Sequence, residues 1–388
     1  MNPLATWLVS LAAVAAVVGV RSSVAEDLRG SQVEVIFRSD DDPAAAEQTS
    51  AGEVLVEALD GGLLLEEDDG TLRLIEGVRR ERVTVLPTAE SPSPAEVGRE
   101  VLEELPEGFQ LLTTRHYCIC FDTSREYARW VGAVFERLRE AFSTYFRRDR
   151  IGVTAPKRPL VVVIFADRQR YLEHAEPTLG TSSPNVIGFY NLMSNRVTTY
   201  DITGSDLVRG RVGGGASVGQ AIAASPAASA LVSTLVHEAT HQLAFNTGLH
   251  QRLAPIPVWL SEGVAMYFET PDLSATSGWR GIGMVNRQRL AHWQQAHRRE
   301  LLSRIIVDDE VFRNPETALD AYAEAWGLAY FLLKTRRKEA AAYLERLGER
   351  GPLTEDSPEQ RLADFEAAFG ESVESLEPAL VRFLARLQ

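Results

Sequence analysis

A long apolar helix that carries two histidines and a glutamate constrains the fold of this chain more than any other feature. The helix is predicted to begin at Pro226, because proline suits the first helical position, and to end near Gly248. Apolar residues cover it on nearly every side, so it must be buried between other elements. His237, Glu238 and His241 lie within it, in the sequence HEATH. Burying these polar groups without partners costs several kcal/mol, so the fold has to supply a partner for each.

The spacing of the two histidines is that of a metal-binding pair. One helical turn separates His237 from His241, so both imidazoles lie on one face and can converge on one metal ion. Glu238 projects from the adjoining angle, where it can reach a water molecule on the metal without binding the metal itself. A chance match to HExxH is expected in roughly one such chain in a hundred. The sequence therefore predicts one bound zinc ion, with His237 and His241 as two of its ligands.

The third protein ligand of a catalytic zinc ion must come from another segment of the chain. His250 follows His241 by nine residues and does not match the metzincin pattern. Glu262 lies in a second apolar segment, residues 257–268, which is far enough along the chain for a turn and an antiparallel return. We expect Glu262 to be the third ligand. The alternative is a carboxylate that only stabilises the N-terminus of its own helix.

These two segments resemble the gluzincins, the thermolysin-like zinc peptidases of the MA clan. The resemblance rests on HEATH and on the later sequence WLSEG-x-A-x-YF, which ends at Phe268. More narrowly, the chain is similar to a branch of secreted bacterial proteins with a peptidase MA-like domain. The resemblance covers roughly residues 110–385, and its specific motifs are confined to residues 233–270 and 319–333.

The resemblance implies a role for each motif residue. In gluzincins the two histidines and the downstream glutamate bind zinc, which carries over to His237, His241 and Glu262. The motif glutamate is the general base, which carries over to Glu238. Gluzincins often place an acidic residue four positions after the third ligand to orient a ligating histidine, and this chain has Met266 there. The side chain that orients the histidine must therefore come from elsewhere.

Two further expectations concern the substrate. Similar Tyr-x-x-x-Trp helices recur after the zinc site in this branch, and here Tyr322 is expected to donate to the oxyanion of a tetrahedral intermediate. Tyr322, Trp326 and Tyr330 also form a helical stripe, so packing in the core is the alternative. In similar enzymes the substrate lies antiparallel to an edge strand, and residues 196–200 are predicted to form that edge.

The first 25 residues are predicted to be a secretory signal peptide. An apolar run from Leu4 to Val20 precedes Ser23-Val24-Ala25, which has the small-x-small pattern of a cleavage site. No Lys or Arg precedes the run, and the alternative is an uncleaved N-terminal membrane anchor. Cleavage predicts a secreted, periplasmic or cell-surface protein with no stable membrane insertion afterwards.

The remaining residues predict an α+β fold. Regular turn signals indicate a small β module at residues 26–90, and a Ser/Pro linker follows at residues 91–95. Residues 96–250 are predicted to form a lobe that contains a mixed sheet and the HExxH helix. Residues 251–388 are predicted to form a helical lobe that carries the third ligand. The acidic runs at residues 40–42 and 66–69 lack the ordered spacing of a calcium loop, so solvated turns are favoured over calcium sites.

Charge and cysteine content exclude several classes of protein. A formal net charge of −14 argues against nucleic acid and against an anionic membrane surface as the main partner. Two cysteines cannot form a disulfide-stapled scaffold or a four-cysteine zinc site. Cys118 and Cys120 share one face of a predicted strand. Buried thiols are favoured there, and a strained disulfide is the alternative.

Three functions are compatible with these patterns. The leading hypothesis is a secreted zinc metallopeptidase that hydrolyses peptide or protein substrates. The second is a secreted, non-catalytic zinc-binding protein with a vestigial peptidase site, which Met266 and the β module both favour. A zinc hydrolase that acts on a non-peptide amide is the third, and sequence patterns do not separate it from the first.

Overall fold

The α+β fold predicted from the sequence is confirmed by a computed structural model, in which the described residues form ten strands in two sheets and thirteen helices. The model describes residues 27–38, 46–88, 90–148, 151–180, 186–204, 217–224, 226–270, 272 and 280–387. The predicted signal peptide and the acidic run at residues 40–42 lie outside these ranges. Within them, no helix is long and apolar enough to cross a membrane.

An antiparallel sheet forms the N-terminal part of the molecule, and we call it the N-terminal sheet. Alternation along its first strand buries Val33, Val35 and Phe37 on one face, where they form an apolar cluster with residues from the neighbouring strands. Its strands follow the order β4-β3-β2-β1-β5. They are β1 (Gln32–Arg38), β2 (Glu47–Glu57), β3 (Leu63–Glu67), β4 (Leu72–Ile75) and β5 (Arg80–Val85). All five lie in the segment predicted as a β module, and the division of the chain into domains stays a prediction.

A second, mixed sheet follows in the order β6-β7-β8-β10-β9. Its strands are β6 (Gln110–Thr113), β7 (Tyr117–Phe121), β8 (Leu160–Phe165), β9 (Gly188–Asn191) and β10 (Arg196–Tyr200). β7, β8 and β10 are parallel neighbours, whereas β6 and β9 pair antiparallel at the two ends of the sheet. The central strand β8 is buried along its whole length, as its continuous apolar sequence predicts.

The prediction that residues 196–200 form the edge strand is wrong. This segment is β10, and it lies between β8 and β9. One side of β10 pairs with β8, so its hairpin partner β9 takes the outer position. The edge of the sheet on this side is therefore β9, which comes earlier in the chain.

Helices cover the mixed sheet and surround the HExxH segment. They are α1 (Pro94–Glu104), α2 (Arg125–Arg148), α3 (Arg168–Leu179), α4 (Val218–Ala223) and α5 (Pro226–Asn246). α5 carries HEATH and packs against α2, β9 and β10, which accounts for its apolar surface. The chain leaves α5 at Gly248, whose φ of 79° lies in the left-handed region that glycine adopts readily.

The C-terminal part is helical, as predicted. Its helices are α6 (Val258–Phe268), α7 (Arg287–Ala296), α8 (Arg299–Val307), α9 (Glu310–Arg313), α10 (Ala318–Thr335), α11 (Arg337–Gly348), α12 (Pro358–Phe369) and α13 (Val373–Leu384). α10 is the central helix and packs against α6 through a close contact at Gly263. A Cβ atom at Gly263 would lie 2.4 Å from the Cβ atom of Ala329, so only glycine allows this approach.

Two smaller predictions are also decided by the fold. Cys118 and Cys120 are free, buried thiols, which confirms the favoured alternative. The prediction of a solvated turn at residues 66–69 is wrong, because Glu66 and Asp69 form ion pairs with arginines outside the N-terminal sheet.

Candidate metal centre

Three donor atoms from α5 and α6 converge in the interior of the molecule. The Nε2 atom of His237 lies 3.1 Å from the Nε2 atom of His241 and 3.1 Å from Oε2 of Glu262. The other carboxylate oxygen of Glu262 lies 3.4 Å from His241 Nε2. All three side chains are buried, and together they form a group that could hold one metal ion. The fold thus brings Glu262 together with the two histidines, as the sequence predicts.

The geometry of this group fits a single divalent cation. Ligands of a tetrahedral zinc ion at about 2.0–2.1 Å lie about 3.3 Å from one another, close to the observed separations of 3.1–3.4 Å. Two imidazole nitrogens and a carboxylate oxygen are also the donor types that such ions bind in proteins. Two imidazoles that point their Nε2 atoms at each other in a buried space need a cation or a proton between them.

The outer nitrogen of His237 contacts a carboxylate that the sequence patterns did not identify. His237 Nδ1 lies 3.0 Å from Oε2 of Glu269. In the metal-binding form Nε2 carries no proton, so Nδ1–H donates to Glu269 and sets the orientation of the ring. Glu269 follows Glu262 by seven residues, which is two helical turns, whereas Met266 occupies the position one turn away. The sequence signal that could have identified Glu269 is its position as a carboxylate at the end of the apolar helix α6.

Glu269 is itself held by the beginning of α7. The guanidinium of Arg289 donates from Nε to Oε1 of Glu269 at 2.7 Å and from Nη2 to Oε2 at 3.3 Å. Asn286 Nδ2 donates to the same Oε1 at 2.8 Å. Burial by itself raises the pKa of Glu269, but Arg289 and His237 together lower that pKa to about 2. A permanent negative charge therefore faces the outer nitrogen of His237.

His241 has a weaker partner on its outer side. Its Nδ1 atom lies 3.3 Å from Oγ of Ser261, so with Nε2 directed at the other donors the ring donates to this hydroxyl. Burial lowers the pKa of His241, which favours the neutral imidazole that a metal requires.

The charges of His237 and Glu262 depend on each other. Burial lowers the pKa of His237, but the carboxylates of Glu262 and Glu269 raise that pKa to about 10. Burial raises the pKa of Glu262, and the two imidazoles more than reverse this effect, so that its pKa falls far below the ordinary value. A proton on His237 thus occupies the place of a cation, and binding of a metal ion releases that proton.

Glu238 lies beside the three donors, and only one of its two carboxylate oxygens has a hydrogen-bond partner among the described residues. Its Oε2 atom accepts a hydrogen bond of 3.2 Å from the backbone N–H of Tyr190 in β9. Its Oε1 atom is buried and has no hydrogen-bond partner among the described residues. Burial raises the pKa of Glu238 well above its usual value, and the charges of Glu262 and Glu269 add to this effect while His237 opposes it. One oxygen of Glu238 is therefore open to a further group.

Tyr322 in α10 is buried near the same carboxylates. Burial raises the pKa of its hydroxyl, and the charges of Glu262 and Glu238 raise it further, so the hydroxyl keeps its proton. The ring packs edge-on against Phe312, with 5.3 Å between the ring centroids. Tyr322 is therefore packed in the core and also lies within the electrostatic influence of Glu262 and Glu238.

His250 does not join the three donors. Its Nδ1 atom is 2.9 Å from the carbonyl oxygen of Leu249, to which it donates, and its Nε2 atom has no partner among the described residues. Burial, aided by the nearby His241, lowers the pKa of His250 to about 3, so this imidazole is neutral.

The candidate metal centre lies in the part of the chain that matches a known family model. A family model described as "Protein of unknown function (DUF1570)" matches residues 231–354. The matched segment includes the three donors as well as Glu238, Glu269, Arg289 and Tyr322. No curated protein matches the chain.

Proposed function

We propose that this protein is a zinc-dependent metallopeptidase. The observation that carries the proposal is the convergence of His237, His241 and Glu262 within 3.1–3.4 Å, with the unpartnered Oε1 atom of Glu238 beside them. The resemblance of HEATH and WLSEG to gluzincin motifs supports the same activity. Secretion after removal of residues 1–25 is part of this proposal.

The metal ion in this proposal is zinc. Two imidazoles and one carboxylate are the protein ligands of a well-known type of catalytic zinc site, which leaves a position free for water or substrate. When bound, zinc supplies Lewis acidity toward a carbonyl oxygen and a water molecule.

Glu238 is the general base in this proposal. The backbone N–H of Tyr190 holds one oxygen of Glu238 in place, which leaves Oε1 to accept a proton from the attacking water. The same oxygen then returns the proton to the leaving amine. Tyr322 keeps its proton and is the candidate donor to the oxyanion that forms on the substrate.

The edge strand β9 is the proposed binding site for the peptide. Because the N–H of Tyr190 donates to Glu238, Tyr190 directs its backbone groups away from β10. Alternate residues of an antiparallel strand point the same way, so Gly188 also presents its N–H and C=O on this side. No described strand pairs with β9 there. An extended peptide that added to this edge would lie next to Glu238.

The direct test is digestion of a diverse peptide library by zinc-loaded protein that lacks residues 1–25, read by mass spectrometry. The matched control is Glu238→Gln, which keeps the size of the side chain and its acceptor for Tyr190. We expect cleavage by the unmodified protein, a loss of at least about a hundredfold in the variant, and equal zinc content in both. Cleavage that persists in the variant, or no cleavage by the zinc-loaded protein, would contradict the proposal.

A non-catalytic zinc-binding protein is the second candidate. The observation in its favour is the burial of the site, since His237 and Glu238 are fully buried and Tyr322 is only 3% exposed. A zinc ion with no exchangeable ligand would identify this function. X-ray absorption spectroscopy of the zinc-loaded protein, with and without a hydroxamate inhibitor, distinguishes the two, because only an open coordination position changes when the inhibitor is added.

A further inference from the structure

The N-terminal sheet makes direct backbone contact with the turn of the β9–β10 hairpin. We call residues 66–72, which run from the end of β3 through the turn to the first residue of β4, the acidic turn. The N–H of Leu72 donates to the carbonyl oxygen of Met193 at 2.7 Å. Gly70 has a φ of 87°, and a Cβ atom there would lie 2.5 Å from Nδ2 of Asn195. Glycine is required at this position on both counts, so the two chain segments are closely fitted to each other.

A buried arginine from a third segment joins the acidic turn to the hairpin. Arg252 is 4% exposed and follows the end of α5. Its Nη1 atom donates to the carbonyl oxygen of Gly70 at 2.7 Å and to that of Leu192 at 3.2 Å. Its Nη2 atom donates to the carboxylate of Glu66. One guanidinium therefore binds the acidic turn and the hairpin at the same time.

Additional charges and apolar side chains support the same contact. Arg158, which precedes β8, donates from Nη1 to Oε2 of Glu66 at 2.5 Å. Arg196 at the start of β10 donates from Nη2 to Asp69 at 2.6 Å. An apolar cluster lies across the boundary and comprises Leu64, Leu72 and Leu253, with Met193 packed against it. Glu66 and Asp69 of the acidic turn thus each pair with arginines from outside the N-terminal sheet, which identifies this surface as a specific interface within the chain.

The hairpin connects this interface to Glu238. Tyr190 donates through its hydroxyl to Oδ1 of Asn195 at 2.8 Å, so the strand and the turn of the hairpin are tied together. Asn195 also binds Asn246 of α5, and its carbonyl oxygen accepts from Gln242. A shift of the hairpin would move the N–H of Tyr190 relative to Glu238, whereas the three metal donors lie on α5 and α6 and contact one another.

We propose that the N-terminal sheet positions the β9–β10 hairpin and, through it, Glu238. Glu66 and Arg252 are the positioning residues, since they act on Glu238 only through the hairpin. The effect on catalysis rests on the proposed peptidase function, but the effect on the hairpin does not. The sheet therefore supports the candidate substrate edge without contributing a side chain to the metal centre.

Hydrogen–deuterium exchange on the zinc-loaded protein tests this inference. Arg252→Met removes the guanidinium, and we expect backbone exchange in residues 188–195 to become about tenfold faster because the hydrogen bond from Arg252 to Leu192 and its link to the acidic turn are lost. The matched control is Lys157→Met. Lys157 forms an ion pair with Glu53 between the same two parts of the molecule, but its side chain is 73% exposed, so exchange should change by less than about twofold.

Two further variants keep the test decisive. Glu66→Gln retains the volume of the side chain and replaces Arg252→Met as the test if that variant fails to fold. It is expected to increase exchange in the same residues by a smaller factor. Arg252→Lys keeps the charge but cannot reach Glu66 and both carbonyl oxygens together, so an intermediate increase is expected. Zinc content and exchange within α5 and α6 should be unchanged in every variant, which separates positioning of the hairpin from general destabilisation.

Failure of this inference is distinguishable from failure of the proposed function. If exchange in residues 188–195 is the same in the unmodified protein, in Glu66→Gln and in every folded Arg252 variant, the inference is wrong whatever the activity. If exchange rises as expected but the unmodified protein cleaves no peptide, the positioning stands and the peptidase proposal fails. If both hold, kcat should fall about tenfold in Arg252→Met while zinc stays bound, because Glu238 is displaced.

Discussion

Two histidine–carboxylate networks in the described part of the chain differ in what they can bind, because one of them gathers donors for a metal and the other does not. In the first, His237 contacts Glu269 through Nδ1 and directs Nε2 toward His241 and Glu262. In the second, His297 contacts Glu324 through Nδ1 at 2.7 Å and Glu377 through Nε2 at 3.5 Å.

The difference lies in what the second ring nitrogen faces. Both nitrogens of His297 face carboxylates, and its ring stacks on Trp293 at 4.5 Å between centroids. The two carboxylates raise the pKa of this imidazole and favour its protonated form, which joins α7, α10 and α13. His237 instead faces a second imidazole one helical turn away. A carboxylate beside a histidine is therefore not evidence of a metal site, whereas convergence of two imidazoles and a carboxylate is.

Removal of a histidine from each network should break this comparison most clearly. We expect His241→Ala to weaken zinc binding by about a hundredfold to a thousandfold, because one of three protein ligands is lost. His297→Ala is the control and should leave zinc affinity within about twofold of the original value. Competition with a chromophoric chelator measures both. Equal zinc affinity in all three proteins would show that the metal does not bind at the candidate centre.

Removal of the outer carboxylate should have a smaller effect, again confined to one network. Glu269→Gln should weaken zinc binding about 10- to 100-fold, because His237 loses the negative charge that holds its Nδ1 proton. Glu324→Gln is the matched change in the other network and should lower the melting temperature without altering zinc affinity. If Glu269→Gln binds zinc as tightly as the original protein, Glu269 does not take over the role of the acidic residue that gluzincins often have at the position of Met266.

The smallest expected effect depends on pH and concerns the second network. Burial lowers the pKa of His297, but the hydrogen bond and charge of Glu324, with help from Glu377, raise it above its ordinary value. The protonated ring therefore stabilises the fold fully below about pH 6.5, and this contribution is lost as pH rises through the higher pKa of the folded state.

The corresponding experiment compares His297→Gln with the original protein by urea unfolding. We expect the variant to lose about 1–2 kcal/mol of unfolding free energy near pH 5.5 and less near pH 9. An equal loss at both values would mean that the charge of His297 does not contribute to stability.

The main features of the site could be predicted because they depend on local periodicity. His237 and His241 lie one turn apart on any helix, and an apolar helix that carries them must be buried with partners. Glu262 was predicted from its apolar surroundings and from the resemblance to gluzincin motifs. The mixed sheet and the helical C-terminal part followed from apolar runs and helical spacing in the same way.

Other features could not be predicted, since they depend on contacts between distant segments. Glu269 reaches His237 because α6 packs against α5, and Arg289 reaches Glu269 from α7. The edge strand was assigned to residues 196–200 because a hairpin does not reveal which of its strands has a further neighbour. The acidic turn was interpreted as solvated because its partner Arg252 lies almost two hundred residues later in the chain.

Hydrophobic periodicity and residue spacing are local properties, so the order of the amino acids was enough to predict an α+β protein with a buried HExxH helix. Three features become visible only in the folded chain: the carboxylate that orients His237, the strand that forms the edge, and the place where the N-terminal sheet is attached. These outcomes depend on the packing of α5 against α6, on the pairing of β10 with β8, and on ion pairs between distant segments. Each of them arises only when the chain is folded.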